Sequence, residues 1–308
     1  YMSQIQNYLN EFTLKGYSTE YENFFAALNQ LDLTPADTSA KNQLINNAKS
    51  MTDYFNTLAT NLRNVQIDAN NEIKDTVNQI NSLAQSISSL NKQINQIQAN
   101  YGNANDLKDQ RNALIDDLSK LVNISVSETD IVNNLTDLQI TINGNSLVNG
   151  YNYHTLQTVS RDEPRNVSDA AGLYDIQWET GQPFNIYSTS LGGELKGLID
   201  IRDGCNGEIE KYATTTDDDG NETYKTDAEG NILTDTVSKV DSNTNYKGVP
   251  YYQAQLNQFI QTFVSSINEI LTKGVTSDGS ASGIPLFVMS DGSKALTASS
   301  VTVNQDLI

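Results

Sequence analysis

Residues 80–101 read INSLAQSISSLNKQINQIQANY. Ile80, Leu83, Ile87, Leu90, Ile94, Ile97 and Tyr101 recur at alternating steps of three and four, the spacing that lines up side chains on one stripe of a helix. Between them stand Asn, Ser and Gln, with Lys92 as the one charge. A solvated coiled coil fills those outer positions with Glu and Lys. The stripe decides the fold; the neutral face beside it raises the question of what surrounds the helix.

The stripe extends upstream through Leu44, Ala48, Met51, Phe55, Leu58, Leu62, Val65 and Ala69, again by fours and threes, and reaches Ile80 through Ile73 and Thr76. Val65, Ala69 and Ile73 make two steps of four in succession, a stutter that locally unwinds left-handed supercoiling. Gly is absent from Tyr17 to Tyr101 and Pro from Ala36 to Glu163, which removes the two strongest helix breakers. Thr34-Pro35-Ala36-Asp37 supplies a start signal, with a hydroxyl cap, a first-turn proline and a carboxylate near the N-terminus. Gly102 is the natural residue to end the run. The pattern predicts one helix from about Ala40 to Asn100, on the order of 90 Å long.

Asn103 or Asn105 can cap a second helix over about 105–122, with Leu107, Leu114, Leu118 and Leu121 as its stripe and Arg111 on the same line. The short link implies an antiparallel hairpin. Upstream, Thr19 and Glu22 form a capping box for a helix carrying Phe24, Phe25, Leu28 and Leu31.

At Val122 the period changes. VNISVS, DLQITIN, HTLQTVS, LYDIQWE and FNIYS are short β-type runs with turn residues such as Asn143-Gly144-Asn145 between them. Helix is expected again over LGGELKGLIDIRDGCNGEIEKY, with Leu191, Leu195, Leu198, Arg202, Cys205, Ile209 and Tyr212 on one stripe. Residues 213–249 are acidic and turn-rich and read as a surface insertion, within which YKTDAEGNILTD can form a hairpin. A last helix follows Pro250, with Leu256, Phe259, Phe263, Ile267 and Ile270 at helical spacing. The expected fold class is α+β: an elongated antiparallel helical bundle with a long coiled-coil-like helix, plus a small antiparallel β domain. The expected division is a helical domain over 1–122, a β-rich domain over 123–189, returning bundle helices over 190–273 carrying the insertion, and a short β-prone tail over 274–308.

The chain has 308 residues, 37% of them hydrophobic, and a net charge of −19. Its pI is near 4.2 and its mean hydropathy is −0.46. That acidity argues against nucleic acid, whose binding rests on Lys and Arg neutralising phosphates, and against docking on anionic lipid. No apolar run approaches the roughly 18–20 residues of a membrane span. One cysteine excludes an intrachain disulfide and a zinc cluster. No start resembling a signal peptide is present, and Tyr1 begins inside a helical pattern (Met2, Ile5, Leu9, Phe12), so the chain reads as a fragment of a longer protein.

Chemistry is sparse. His154 and Cys205 could form a nucleophile–base pair, but Cys205 falls on a helix stripe and packs there as a small hydrophobe, leaving His154 as a surface or strand residue. TTDDDGNET resembles a calcium loop if Gly220 is position six, with Thr215, Asp217 and Asp219 at one, three and five; the terminal Glu is missing, and a solvated turn is the plainer reading. No Walker loop, GxGxxG, HExxH or GxSxG pattern occurs, so neither a catalytic role nor a cofactor is expected. Arg111 and Arg202, each on an apolar stripe, either bind a partner's carboxylates or make internal ion pairs with packed stems; the second is the expectation. The structural packing seam is expected at Leu44, Met51, Phe55, Leu58, Leu62, Val65, Ile73, Ile80, Leu83, Ile87, Leu90, Ile94, Ile97, Leu107, Leu114, Leu118 and Leu121.

Several ordered motifs carry a resemblance. YSTEYENFFAALNQL, VNQINSLAQSISSLNKQINQIQ, NANDLKDQRNALIDDLSKLVNISV, INGNSLVNGYNYHTL, LGGELKGLIDIRD and YKGVPYYQAQLNQFIQTFVSSINEIL together resemble the flagellar hook-associated protein 1 family, FlgK, over most of 17–212 and 246–290. The family has Asp after the Arg of DQRD, where this chain has Asn112. The resemblance implies a structural component of the bacterial flagellum, a hook–filament junction protein without enzymatic activity, exported by the type III route without a cleaved signal peptide and assembled outside the cell by helix packing. Implied partners are further copies of itself, the hook protein, the next hook-associated junction protein and, through a C-terminal segment not in these residues, an export chaperone. The family's terminal coiled-coil segments are likewise not in these residues. A secreted binding or adhesion module, using the β domain or the acidic insertion, is the alternative. A neutral polar face suits a helix surrounded by protein, because Asn, Gln and Ser bond across contacts without the desolvation cost of a lone charge. Compositional bias toward Asn and Ser is the other explanation.

Overall fold

The computed structural model describes residues 1–14, 16–131, 135–204, 208–216, 222–228, 230–238, 248–275, 283–290 and 292–308. Among these residues six α-helices run in chain order: α1 Met2–Leu14, α2 Gly16–Leu33, α3 Thr38–Ala99, α4 Asn105–Leu121, α5 Gly193–Asp203 and α6 Gly248–Thr272. The strands are β1 Ser125–Asp130, β2 Thr136–Ile142, β3 Asn145–Asn149, β4 Asn152–Tyr153, β5 Leu156–Ser160, β6 Tyr174–Trp178, β7 Glu208–Tyr212, β8 Thr214–Thr216, β9 Glu222–Tyr224, β10 Thr234–Ser238, β11 Phe287–Met289 and β12 Val301–Val303. The class is α+β, with one long helix and small antiparallel sheets.

Helix α3 is unbroken for 62 residues. Its start differs in detail from the sequence signal. Asp37, not Thr34, caps it, its Oδ1 accepting the Ser39 amide at 2.8 Å, while the Thr34 hydroxyl donates back to the Gln30 carbonyl of α2 at 2.9 Å. At the other end the left-handed position is taken by Tyr101, at φ +58, and not by Gly102. The Tyr101 amide bonds the Gln98 carbonyl at 2.9 Å and the Gly102 amide the Ile97 carbonyl at 2.9 Å, the paired bonds of a Schellman motif. Gly102 is required for another reason: a Cβ there would lie 2.7 Å from Ile97 Cγ2.

The described residues divide into two units. The first holds Tyr1–Gln66, Pro164–Ala170 and Asp203–Ile308. Its core is a run of phenylalanines from four elements. Phe24 of α2 meets Phe263 of α6 at 5.9 Å and Phe287 of β11 at 5.7 Å, and Phe55 of α3 meets Phe259 at 5.9 Å. Such edge and tilted pairs add about 0.5–1.5 kcal/mol each beyond burial. Strands β7 and β10, β8 and β9, and β11 and β12 pair antiparallel.

Four sequence expectations change here. The helix read over 191–212 ends at Asp203, because Gly204 turns the chain at φ +75 and 208–212 become β7. The described part of 213–249 is more than a surface insertion, since Ala213 and Asn231 are buried and the Leu296 amide bonds the Ile232 carbonyl at 3.2 Å. The tail is core, with Leu286, Phe287, Leu296, Val301 and Val303 at most 2% exposed. The helix containing Thr19 and Glu22 begins at Gly16, so that pair lies inside α2 and not at its start.

The second unit holds Ile67–Glu163 and Ala171–Arg202. Strands β1 to β4 form one antiparallel sheet in sequence order, and β5 pairs with β6. The β2–β3 hairpin closes on Asn143 at φ +50 and Gly144 at φ +80, the two left-handed residues a two-residue turn needs. Strand β1 is exposed along its whole length.

Candidate functional site

His154 Nδ1 lies 2.8 Å from Glu179 Oε1, both substantially exposed. Bonds from His154 and then Thr155 hold the Glu179 carboxyl below the usual carboxylate range. Cys205 lies outside the described residues, as do Asp217, Asp219 and Gly220 of the calcium-like loop, whose Thr215 is on β8. No group of three or more His, Cys, Asp or Glu that could hold a metal ion occurs among the described residues. No described helix is long and apolar enough to cross a membrane.

What the helices do present is a row of neutral polar side chains aimed at the backbone of strand ends, turns and loops. In the second unit, Asn81 donates to the Leu156 carbonyl at 2.8 Å and accepts its amide at 2.8 Å. The Ser88 hydroxyl donates to the Tyr151 carbonyl at 2.6 Å, and Asn91 Nδ2 donates to the Gly150 carbonyl at 2.9 Å. Asn95 takes both backbone groups of Thr136, donating to its carbonyl at 2.8 Å and accepting its amide at 3.1 Å, and also donates to the Tyr151 hydroxyl at 2.9 Å. Strand ends carry backbone groups that strand pairing leaves free, and burying them unbonded costs about 1–3 kcal/mol each. A primary amide offers donor and acceptor on one short stem, so Asn meets both needs of one residue.

These bonds account for part of the neutral face on α3. Asn81 and Asn95 bond strand ends and Ser88 and Asn91 the turn between β3 and β4, whereas Ser82, Gln85, Ser86, Ser89, Gln93 and Gln96 are exposed. The fully buried line through this half of α3 is accordingly rotated from the seam read in the sequence. It runs Ile73, Val77, Ile80, Ala84, Ile87, Asn91 and Ile94, each at most 3% exposed. Leu83, Leu90 and Ile97 are half-buried beside it, as are Leu107 and Leu114 of α4, while Leu118 and Leu121 are buried. In the first unit Leu44, Met51, Phe55, Leu58, Leu62 and Val65 are buried.

Both stripe arginines are buried. Arg111 Nη2 donates to both carboxylate oxygens of Glu128 on β1, at 2.9 and 3.0 Å, and Nη1 to Asn91 Oδ1 at 3.1 Å. That last bond, from the second turn of α4 to a residue near the end of α3, closes an antiparallel hairpin. Arg202, 1% exposed, donates from Nη1 to Asn70 Oδ1 at 2.8 Å, and the same oxygen accepts the Tyr174 amide at 2.8 Å.

The first unit repeats the device on α6. Gln253, Asn257 and Gln261 follow one another at steps of four, with Asn268 two turns further along the same face. Gln253 donates to the Ser168 carbonyl at 3.1 Å, Gln261 to the Leu296 carbonyl at 2.9 Å, and Asn257 accepts the Ala298 amide at 2.9 Å. Asn268 donates to the Phe287 carbonyl at 2.7 Å while its Oδ1 accepts the amides of Leu286 and Phe287. Ile270, placed on the apolar stripe by its spacing, is 70% exposed, because the amides and not the outer isoleucine face the core. Gln66 of α3 grips Pro164–Ala170, donating to Asp169 Oδ1 at 2.7 Å and accepting the Ala170 amide at 2.8 Å.

Sequence reasoning missed these amides, since Asn and Gln are abundant everywhere in the chain. The strict four-residue spacing of Gln253, Asn257 and Gln261, alongside Leu256, Ile260 and Val264, is the signal that could have found them.

The comparisons with known proteins agree with this architecture. The family model described as "Flagellar hook-associated protein FlgK helical domain" matches residues 2–287. Flagellar hook-associated protein 1 of Bacillus subtilis is 28% identical over 92% of this chain and 50% of its own length. The protein of the same description from Salmonella typhimurium is 33% identical over 65% of this chain and 35% of its own. The chain thus spans half or less of the length of these curated relatives. In fold, it is similar to the flagellar hook junction protein FlgK from Burkholderia pseudomallei, with a TM-score of 0.65, 23% identity, and coverage of 93% of this chain and 45% of that one. With the family model matched over nearly the whole chain, the protein belongs to the family of the flagellar hook-associated protein FlgK helical domain.

Proposed function

We propose that this chain is a structural component of the bacterial flagellum, serving at the hook–filament junction outside the cell, with no catalytic role. The observation that carries this reading is the family match over 2–287, supported by a fold similar to a hook junction protein. The architecture suits such a role: buried amides fasten strand ends, turns and loops to the helices. Further copies, the hook protein and the next hook-associated junction protein are its partners, and export proceeds by the type III route without a cleaved signal peptide, a chaperone acting through a segment outside these residues. The exposed neutral positions of α3 offer contacts that carry no charge-desolvation cost.

The test is complementation of a strain lacking the full-length parent gene. The null strain is expected to make intact hooks and release unpolymerised flagellin, and the parent to restore filaments. Normal filaments in the null strain refute the role.

One observation favours a second reading, a secreted binding or adhesion module. Tyr153 on the short edge strand β4 and Tyr151 in the turn just before it are 36% and 52% exposed. Exchanging both for serine separates the readings: lost adhesion with normal filaments supports the module, and unchanged adhesion removes it.

A further inference from the structure

In the first unit, a cavity of about 10 Å³ is lined by Ala59, Arg63, Ser168, Gln253, Asn257 and Ser299, among others. One atom from each of two lining residues, Arg63 Nε and Gln253 Oε1, is buried and has no hydrogen-bond partner among the described residues. Gln253 is 4% exposed, and its orientation is set by its Nε2 donating to the Ser168 carbonyl at 3.1 Å; a flipped amide would set two oxygens together. One orphan is a donor and the other an acceptor. An anion would satisfy Arg63 and be repelled by the Gln253 oxygen; a cation would do the reverse. A molecule that both donates and accepts, and fits a space of about one probe sphere, satisfies both.

We propose that this cavity is a binding site for one resident water molecule, which accepts from Arg63 Nε–H and donates to Gln253 Oε1, so that α3 and α6 are joined through it beside Ser168. The test is the nuclear Overhauser effect from bound water to the Arg63 Hε, together with a crystal structure that shows individual waters. A long-lived water signal at Arg63 Hε, lost in Gln253→Leu, is expected. Arg63 Hε showing no such signal in the unsubstituted protein, with an empty cavity in the crystal, overturns the site whether or not the variant folds.

A different observation carries a second inference. Asp169 and Glu210 are buried, and every bond to them comes from a neutral group. Asp169 accepts from Gln66 at 2.7 Å, from the Asn166 amide at 2.9 Å and from Asn166 Nδ2 at 3.2 Å. Glu210 accepts from Thr234 at 2.8 Å, from Asn257 at 2.7 and 3.0 Å, and from Ser168. Asn166 joins the two, its Oδ1 accepting the Glu210 amide at 3.0 Å. The charged and titratable groups around them are Asp203, which faces Asp169 and has Arg165 at 3.8 Å, Tyr212 on β7, and Arg63 beside Ser168.

The geometry points to a pH-sensitive latch on Pro164–Ala170, closed while the Asp169–Glu210 pair keeps a proton and loosened when both carboxyls ionise. Burial, first, pushes both carboxyls above the ordinary carboxylate range, and repulsion adds to it, from Asp203 at Asp169 and from Asp169 at Glu210. The folded state then binds more protons than the unfolded one, so stability is full below the ordinary value and falls as pH rises through the raised one. Hydrogen exchange at the Val167 and Ala170 amides is the readout, followed from about pH 5 to about pH 8 after correction for base catalysis. Protection is expected to fall about tenfold per pH unit within the titration window, and Glu210→Gln or Asp169→Asn should flatten that fall. Carbon-13 titration of the two carboxyls in the unsubstituted protein decides the matter should both variants fail to fold. Ordinary or lowered values at both, or constant protection, overturn the latch.

Discussion

Replacing Asn95 by alanine tests whether the amide clamps hold the second unit together. The substitution deletes three bonds and leaves both backbone groups of Thr136, itself 8% exposed, without partners. Two orphaned groups at about 1–3 kcal/mol each, less what a water entering the gap recovers, give a loss of about 2–4 kcal/mol. Urea unfolding followed by the fluorescence of Trp178, the chain's one tryptophan and 5% exposed within this unit, reads the loss locally. With a urea slope of about 1–3 kcal/mol per molar, the midpoint should drop by about 1–2 M. Gln96→Ala, one residue along on the exposed face, should stay within about 0.5 kcal/mol of the parent. Asn95→Asp keeps the acceptor for Thr136 N–H but sets an oxygen against its carbonyl, so it should be worse at neutral pH than in acid. Should Asn95→Ala match Gln96→Ala to within about 0.5 kcal/mol, the clamp argument fails.

The end of α3 gives a contrast of signs: Tyr101→Gly relieves a left-handed residue and should raise stability by up to about 1 kcal/mol, whereas Gly102→Ala drives a Cβ onto Ile97 and should lower it by about 1–3 kcal/mol. Thermal melts of the two variants moving the same way would contradict the Schellman assignment. Arg111→Met leaves Asn91 Oδ1 short of a donor and should cost about 2 kcal/mol, with a coupling to Glu128→Gln of about 1 kcal/mol because that carboxylate is 36% exposed. A double-mutant cycle returning no coupling would make the pair incidental. The Glu179 carboxyl should titrate below the ordinary range and move back up in His154→Ala, as carbon-13 shifts would show. Whatever stability that pair lends is present above the ordinary carboxylate value and lost as pH falls through the lowered one; an unmoved Glu179 refutes the assignment.

The long helix was legible because its evidence is redundant: an apolar stripe across sixty residues and the absence of Gly and Pro point the same way. Four of the five β runs were legible as short alternating stretches, and Asn143-Gly144 even as a turn, but FNIYS at 184–188 forms no strand. The stretch 191–212 misled because Ile209 and Tyr212 continue a helical spacing by coincidence across Gly204, and one glycine outweighs a stripe. Residues 213–249 misled through composition, which records acidity but not that Thr234 bonds both Glu210 and Gln261. The amide clamps of α3 carried no sequence signal, and those of α6 only the four-residue spacing of Gln253, Asn257 and Gln261. Whether an Asn faces water or a strand end depends on tertiary placement, and the residue is the same in both.

Several clamps take the amide and the carbonyl of the same residue, and this bears on pairing errors. Short two-stranded ribbons such as β5–β6 have few cross-strand bonds with which to choose between neighbouring alignments. A one-step slip of β5 would carry Leu156 away from Asn81 and break two bonds at once, while turning its side chain to the wrong face. The helix therefore acts as a ruler against which each strand is proofread during folding, and misaligned ribbons are penalised from outside the ribbon.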